Sequence, residues 1–261
     1  MLPLDQIVCG DNVEVLSGFP DDCIDLTVTS PPYGELRTYG GHSWNFEGVA
    51  QQLWRITKPG GVVVWVVSDQ TVDGSESGAS FMQALRFKEI GFKIWDTMIY
   101  ETAGFSFPSA DKYHQTAEFM FVFAKGNAET FNPICDRVNA TGGNALGGDY
   151  RRDKNGKSIV RQNSLDRGKR RELGQRMNVW RYSAGKGHTG IYSHPAAFPE
   201  VLARDHILSW SNEGDVVLDP FSGSGTTAKM AKHNGRRWIG IEINPEYVQI
   251  ANNRLRQNVL F

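Results

Sequence analysis

The stretch VVLDPFSGSGTTAKMAKHNGRRWIGIE, residues 216–242, decides the fold of this chain. It begins with an apolar run that predicts a buried strand, and it continues through a turn with two glycines into a helix and a second apolar strand. A strand, a glycine turn, a helix and a second strand ending in an acid form a βαβ unit of the nucleotide-binding type. Strands and helices also alternate in the rest of the chain, which predicts an α/β fold with a doubly wound parallel sheet.

The glycine turn offers several groups to a ligand. Gly223 and Gly225 allow positive φ and close backbone approach, and the helix after them presents free N–H groups. Glu242, at the end of the second strand, can accept hydrogen bonds from ribose hydroxyls. A P-loop is excluded because no lysine follows the glycines, whereas the dinucleotide pattern GxGxxA stays open, since Ala228 completes it. The turn alone therefore does not identify the cofactor.

A second motif, Thr29-Ser30-Pro31-Pro32-Tyr33, follows an alternating apolar run, residues 24–29, that predicts another strand. Two consecutive prolines fix φ and remove two backbone donors, so the chain leaves the strand as a stiff loop. This loop presents two acceptors, the Ser30 hydroxyl and the Pro31 carbonyl, beside the ring of Tyr33. A rigid pair of acceptors next to a ring suits a planar group that carries an exocyclic amine.

Apolar spacing predicts further elements between the two motifs. The nearly continuous run at residues 62–67 predicts a central strand that is covered on both faces. Phe81, Met82 and Leu85 have helical spacing, and Gly91 is placed to close that helix. From residue 126 to about residue 181 the apolar pattern is lost, which predicts an irregular insert.

The charge distribution is uneven. The chain of 261 residues has 28 Lys and Arg against 29 Asp and Glu, a net charge of −1. Between Arg151 and Arg181 eleven basic residues face three acids, a balance of +8, so the remainder carries −9. A basic segment inside an acidic body is the footprint expected for a polyanion, and a solvated charged loop is the alternative.

Other features of the composition limit the protein class. No apolar run approaches the roughly 20 residues of a membrane span, and the start lacks the features of a signal peptide. Cys9, Cys23 and Cys135 are scattered without a CxxC pattern, so we expect reduced, structural cysteines and no metal site. We therefore expect a cytoplasmic protein that does not bind membranes.

Together, TSPPY and DPFSGSGTT resemble the motifs of the S-adenosylmethionine-dependent DNA amino-methyltransferases, which methylate N4 of cytosine or N6 of adenine. Lesser matches lie at residues 58–61, 116–126 and 194–202. The motif order, with the PPY loop first and the glycine turn last, is similar to the β group of this family, a circular permutation of the Rossmann-like methyltransferase sheet. The resemblance implies a prokaryotic or phage-encoded type of enzyme with three parts, namely a catalytic part (1–126), a target-recognition insert (127–180) and a cofactor-binding part (181–261).

The resemblance assigns residues to each reactant. The target base would be held by Ser30, Pro31, Pro32 and Tyr33. In the cofactor site, Glu242 would hold the ribose and Asp11 the adenine amine of S-adenosyl-L-methionine. The complete cofactor set is Asp11, His194, Phe198, Asp219, Phe221, Gly223, Gly225, Thr226 and Glu242. The expected DNA-binding residues are Arg151, Arg152, Arg161, Lys169, Arg170 and Arg171.

The target base follows from the first residue of the acceptor loop. The commonest adenine form of this loop begins with Asp, so Ser30 resembles the cytosine-N4 branch. We therefore expect N4-methylation of cytosine in double-stranded DNA after base flipping, with N6 of adenine as the alternative, since some loops with Ser act on adenine. The expected partner is DNA, and a homodimer and a cognate restriction endonuclease are left open.

Other protein classes fit the two motifs less well. Methylation at C5 of cytosine is excluded because it needs a nucleophilic cysteine, usually in Pro-Cys, and the cysteines here follow Val8, Asp22 and Ile134. A dehydrogenase gives no role to TSPPY or to the basic segment. An RNA or protein methyltransferase and a non-catalytic DNA-binding protein on the same fold remain as more remote alternatives.

Overall fold

A computed structural model describes residues 1–32, 44–102, 112–140, 150–152, 155, 157–160, 171–182 and 199–256, with backbone alone for 150–152 and 158–160. Residues 1–132 and 178–261 form one compact unit, and residues 133–177 form a second.

The described strands are β1 (Gln6–Cys9), β2 (Ile24–Thr29), β3 (Thr57–Val67), β4 (Thr71–Val72), β5 (Ser75–Glu76), β6 (Lys93–Glu101), β7 (Ala117–Ala124), β8 (Arg137–Val138), β9 (Tyr150–Arg152), β10 (Ser158–Val160), β11 (Leu173–Gly174), β12 (Val179–Arg181), β13 (Val216–Asp219) and β14 (Arg237–Glu242). The described helices are α1 (Asn12–Ser17), α2 (Phe46–Ile56), α3 (Ala79–Ile90), α4 (Glu200–Trp210), α5 (Thr226–His233) and α6 (Pro245–Arg256).

The first unit is built on an eight-stranded sheet with the order β1-β14-β13-β2-β3-β7-β6-β12. Strands β1, β14, β13, β2 and β3 are parallel, which confirms the predicted doubly wound sheet. Strand β7 runs antiparallel to both of its neighbours, β3 and β6. Among the described elements β6 and β7 are consecutive in the chain, and antiparallel neighbours do not need the crossover connection that parallel neighbours need.

The direction of winding reverses between β13 and β2. From β13 the chain passes through α5 to β14 on one side, and from β2 it passes through α2 to β3 on the other. The carboxyl ends of β13 and β2 therefore form a topological switch point, the place where open α/β sheets bind their ligands.

The core covers both faces of the sheet. Val63, Trp65 and Val67 of β3 pack in one cluster with buried residues of α1, α2 and α3. Because side chains alternate along a strand, Val62 and Val64 point to the opposite face, and they are also buried. Strands β13 and β14 contact α5, and β2 contacts α4. The continuous apolar run of β3 thus matches a strand that is buried on both faces, as predicted.

Helix α3 forms where the spacing predicts it, and Gly91 closes it with φ 134°. The side chains that carry the apolar spacing, Phe81, Met82 and Leu85, are more than half exposed. The buried residues of the helix are Ser80, Ala84 and Phe87. The packed face of α3 is thus centred on Phe87, and of the three residues with the predicted spacing Phe81 packs its ring against Phe119.

Among its described residues, the second unit contains two short antiparallel pairs of strands, β8 with β11 and β9 with β10. Arg176 donates from Nε to Asp136 Oδ2 at 2.8 Å within it. The predicted insert, residues 127–180, is wider than this unit. Its last residues, Val179 and Trp180, belong to β12, which pairs with β6 in the main sheet.

The three cysteines are free thiols. They are therefore not joined in a disulfide, and Cys9 and Cys135 are exposed while Cys23 is half-buried. Burial raises the pKa of the Cys23 thiol. In the part of the chain that the structure describes, no helix is both long and apolar enough to cross a membrane.

Candidate active site

The centre of the candidate site is the carboxyl end of the adjacent strands β2 and β13. Thr29 ends β2 and Asp219 ends β13, and the Thr29 hydroxyl donates to Asp219 Oδ1 at 2.7 Å. The N–H of Phe221 donates to the same oxygen at 3.1 Å. Both side chains are buried, with 0% of Thr29 and 3% of Asp219 exposed. The predicted cofactor residue Asp219 therefore makes its hydrogen bonds inside the protein.

Burial raises the pKa of Asp219 to about 6. Hydrogen bonds from Thr29, from the Phe221 N–H and from Thr227 act in the opposite direction, and the charge of Glu242 adds to the increase. A buried carboxylate with these partners is ionised at neutral pH and gains a proton as the pH falls toward 4.

The stability of the cofactor-free protein is expected to depend on this group. The pKa of Asp219 is higher in the folded chain than the value of about 3.9 in an unfolded one, so the folded state binds the proton more tightly. Lowering the pH from 7 to below 4 should add about 3 kcal/mol from Asp219 to the free energy of unfolding.

Urea unfolding of the wild type and of Asp219→Asn at several pH values isolates this contribution from that of the other acids. Asparagine does not titrate, so the wild type should gain stability relative to the variant as the pH falls from 7 to 4. A difference between the two proteins that is constant over this range would show that Asp219 has an ordinary pKa.

Glu242 connects the glycine turn to the start of α6. Its Oε2 accepts from the N–H of Gly223 at 2.9 Å, and its Oε1 accepts from the N–H of Asn244 at 2.8 Å. Burial raises the pKa of Glu242, and these two hydrogen bonds lower it. A carboxylate has about four acceptor positions, so the two N–H bonds leave capacity for ligand hydroxyls.

The two glycines of the turn have the backbone conformation that the sequence predicts. Gly223 has φ 49° and Gly225 has φ 80°. A Cβ atom at Gly225 would lie 3.0 Å from Cβ of Ala251 in α6. Close approach at Gly225 is thus made by a helix of the same chain, a contact that the pattern of glycines did not reveal.

Phe221 belongs to an aromatic cluster. Its ring lies 5.2 Å from the ring of Trp44 and 6.1 Å from that of Trp65, measured between centroids. Phe46 packs against both tryptophans. The sequence did not indicate that Trp44 and Trp65 lie next to the glycine turn. For Trp65, the apolar residues around it in β3 indicated only that it is buried.

Asp11 precedes α1 and caps it, since its Oδ1 accepts from the N–H of Glu14 at 3.0 Å. It follows β1, whose last residue, Cys9, pairs with Glu242 of β14. The next residue, Asn12, donates from Nδ2 to the carbonyl of Pro220 at 3.3 Å. Asp11 therefore lies at the same edge of the sheet as Glu242 and the turn.

Arg254 of α6 supports the turn from outside, and sequence reasoning missed it. Its Nη1 donates to both the carbonyl and the hydroxyl oxygen of Ser224 at 2.6 Å, and it lies 3.4 Å from Oγ1 of Thr226. Its Nη2 donates to Glu200 Oε1 at 2.8 Å, an oxygen that also accepts from Lys229 at 2.7 Å. Burial alone would raise the pKa of Glu200, but Lys229 and Arg254 together lower it.

The acceptor loop is described in part. Ser30 follows Thr29 and is half-buried, Pro31 is buried and Pro32 is half-buried. Several predicted residues lie outside the described part of the chain, namely Tyr33, Arg161, Lys169, Arg170, His194 and Phe198. Only the backbone is described for Arg151 and Arg152, and Arg171 is exposed. The structure thus brings the described part of the acceptor loop, residues 30–32, to the same edge of the sheet as the glycine turn and Glu242.

The sequence matches both the model of a protein family and an individual protein of known sequence. Residues 24–253 match the model of an N6/N4 methyltransferase family described as DNA methylase. The orphan methyltransferase M.BamHII of Bacillus amyloliquefaciens is 53% identical over 248 residues, which cover 92% of this chain and 91% of that protein. The resemblance drawn from the two motifs is thereby confirmed.

Solved structures agree with this assignment. A putative DNA modification methylase of Thermus thermophilus, in complex with S-adenosyl-L-methionine, has a TM-score of 0.64 and 26% identity, over 96% of this chain and 94% of that one. PvuII DNA methyltransferase, described as cytosine-N4-specific, has the same fold with a TM-score of 0.68 and 21% identity, over 99% of this chain and 90% of that one. The chain therefore belongs to the N6/N4 family of DNA methylases, which use S-adenosyl-L-methionine to methylate amino groups of DNA.

Proposed function

We propose that this protein transfers a methyl group from S-adenosyl-L-methionine to the exocyclic N4 amine of cytosine in double-stranded DNA. The observation that carries the proposal is Ser30 at the first position of the acceptor loop, directly after the strand whose end is hydrogen-bonded to Asp219. Serine at this position is similar to the cytosine-N4 branch of the family. Methylation of N6 of adenine is the alternative.

The donor and acceptor groups of the site fit the cofactor. Its ribose hydroxyls and adenine amine need acceptors, and the carboxylates of Glu242 and Asp11 lie at neighbouring strand ends. Its α-carboxylate needs N–H groups, which the first turn of α5 can supply. The N–H groups of Gly223 and Gly225 donate within the protein, to Glu242 Oε2 and to the carbonyl of Ser222. When bound, the cofactor provides an electrophilic methyl group on a sulfonium.

The acceptor loop activates the amine. An aryl amine shares its lone pair with the ring and is a weak nucleophile. Hydrogen bonds from its N–H groups to the Ser30 hydroxyl and to the Pro31 carbonyl favour a pyramidal nitrogen and stabilise the positive charge that develops on it. Ser30 is too weak a base to remove the proton before attack, so the proton leaves to water after methyl transfer. The rigid loop also places the nitrogen in line with the methyl group.

Access to the amine requires base flipping. An amine inside a duplex is out of reach, so the cytosine is extruded, which costs a few kcal/mol of stacking and pairing free energy. Stacking on Tyr33 would offset part of this expense, by about 1–3 kcal/mol if it resembles other contacts between bases and aromatic side chains.

The product identifies the target base. Duplex DNA is incubated with the protein and S-adenosyl-L-methionine, digested to nucleosides and analysed by mass spectrometry. N4-methylcytosine supports the proposal, whereas N6-methyladenine without N4-methylcytosine would replace it by the adenine alternative. Parallel reactions with RNA and with protein substrates test whether either of them is methylated instead of DNA.

We also propose that residues 127–180 recognise the target sequence and that the basic segment between Arg151 and Arg181 contacts DNA phosphates. The support is its balance of +8 in a chain whose net charge is −1. Arg171, in the described part of this segment, is exposed.

Neutralising Arg170 and Arg171 with glutamine is expected to lower the slope of log K against log[salt] by about 2, if each contacts one phosphate. Fluorescence anisotropy with a labelled duplex at several salt concentrations measures the slope. A matched control replaces Lys88 and Arg256, two exposed basic residues of the first unit, and should leave the slope unchanged. Equal slopes for the wild type and the Arg170/Arg171 variant would move the DNA footprint elsewhere.

A homodimer and a cognate restriction endonuclease stay open, and a cytoplasmic location stays a prediction from the composition. Sedimentation equilibrium of the purified protein tests the first of these directly.

A further inference from the structure

Thr29 and Asp219 connect the two halves of the site through one oxygen atom. Asp219 Oδ1 accepts from the Thr29 hydroxyl at 2.7 Å and from the Phe221 N–H at 3.1 Å. Ser30, the first residue of the acceptor loop, directly follows Thr29, and Phe221 lies in the glycine turn that is expected to bind the cofactor. A shift of this oxygen would therefore be transmitted to both functional segments.

The backbone ladder between the two strands ends before this point. Its residue pairs are Leu26 with Val217 and Thr27 with Leu218. Thr29 lies two residues after the second pair, and Asp219 lies one residue after it. A second side-chain contact nearby joins Oγ1 of Thr227 to the carbonyl of Val28 at 3.1 Å. Side chains, rather than the ladder, thus connect the carboxyl ends of β2 and β13.

We propose that Thr29 is a positioning residue for methyl transfer. Its hydroxyl fixes the position of the acceptor loop relative to the glycine turn through the shared Oδ1 of Asp219. This inference rests on the proposed roles of Ser30 and of the glycine turn, and not on the identity of the target base. In-line transfer tolerates little misplacement, and an error of about 1 Å can lower a rate by about 10²-fold. Because both side chains are buried, water does not replace the lost hydrogen bond easily.

The chain offers a matched control two residues earlier on the same strand. Thr27 is fully buried, like Thr29, and it points to the same face of the sheet. Within the described residues its hydroxyl has no hydrogen-bonding partner. Thr27→Val and Thr29→Val therefore make the same change in shape and polarity, and they differ in whether a hydrogen bond is lost.

The test compares the wild type with Thr29→Val, Thr29→Ser and Thr27→Val. Single-turnover reactions at saturating S-adenosyl-L-methionine and DNA measure the rate of methyl transfer, and calorimetry measures cofactor affinity. Circular dichroism sets a temperature at which all four proteins are folded. We expect Thr29→Val to lower the rate by about 10-fold to 100-fold, and the other two variants to stay within about threefold of the wild type. Cofactor affinity should change by about threefold or less in every variant.

Each opposite result overturns the inference. Wild-type rates for Thr29→Val would show that the hydroxyl does not position the loop. An equal loss in Thr27→Val, or a loss in Thr29→Ser as large as in Thr29→Val, would assign the effect to strand packing. A loss of cofactor affinity with an unchanged rate would make Thr29 part of the cofactor site only. Rates are measured on the methylated base that the wild type makes, so an adenine product would refute the cytosine assignment without affecting this comparison.

Discussion

Replacing Ser30 with alanine is expected to lower the rate of methyl transfer by about 10²–10³ while the affinity for S-adenosyl-L-methionine stays near that of the wild type. The variant deletes one of the two acceptors and leaves the Pro31 carbonyl in place. The expected loss is that of one preorganised partner of the charge that develops in the transition state. Pro31 is buried, so the loop should keep its position without the serine hydroxyl.

Single-turnover kinetics separate the chemical step of Ser30→Ala from product release, and calorimetry measures cofactor binding independently. Ser17→Ala is a suitable control, because it removes a hydroxyl that donates to the carbonyl of Glu14 at the end of α1. That variant should react at the wild-type rate. Full activity of Ser30→Ala, with chemistry shown to limit the rate, would refute the acceptor role.

The elements that carry the site were predictable because their signals are local. The apolar runs before Asp219 and before Ser30, and the glycines of the turn, each determine the backbone within a few residues. The strands β2, β13 and β14 lie where the sequence predicts them, and the carboxyl ends of β2 and β13 meet at the switch point. Chain order and the alternation of strands and helices are sufficient for that conclusion.

The contacts between these elements were not predictable in the same way. Thr29 and Asp219 are 190 residues apart, and no spacing rule relates them. Arg254 looks like a surface residue of an amphipathic helix, yet it donates to Ser224 in the turn. Tertiary packing decides such pairs, and a single sequence does not encode them as a pattern.

The structure also shows a role of Asp219 that the motif alone did not reveal, namely hydrogen bonding within the protein. The sequence reading gave this residue a cofactor role, whereas its Oδ1 accepts from Thr29 and from the Phe221 N–H within the protein. Replacing Asp219 with alanine would therefore act on the connection between the strands as well as on the ligand. Loss of cofactor binding in that variant would not by itself prove direct contact, which makes Gly225 the better residue for testing the turn.

Replacing Gly225 with valine is expected to destabilise the fold by about 2–5 kcal/mol, the sum of left-handed strain and overpacking. Its φ is 80°, and a Cβ atom there would lie 3.0 Å from Cβ of Ala251. The turn has to move away from α6, so cofactor affinity should fall by about 100-fold, equivalent to about 2.7 kcal/mol. Urea unfolding and calorimetry measure the two effects.

Gly214 separates strain from overpacking. It also has a positive φ, 86°, but a Cβ atom there would meet no atom within 4 Å. It precedes β13, at the end of the strand opposite to the turn. Gly214→Val should therefore show the left-handed strain alone, about 1–2 kcal/mol, with wild-type cofactor affinity. Equal destabilisation in both variants would mean that the contact with Ala251 does not matter.

Removing the Ala251 side chain should relieve the clash in part. In a double-mutant cycle with Gly225→Ala and Ala251→Gly, the two substitutions are expected to couple by about 0.5–3 kcal/mol, with the double variant more stable than the sum of the single effects predicts. Ala251 is fully buried in α6, so its own replacement by glycine lowers stability and has to be measured separately. If cofactor affinity recovers together with stability, the packing of α6 against Gly225 determines the conformation of the glycine turn. Additive effects, with affinity still lost in the double variant, would instead indicate that the added side chain meets the cofactor itself.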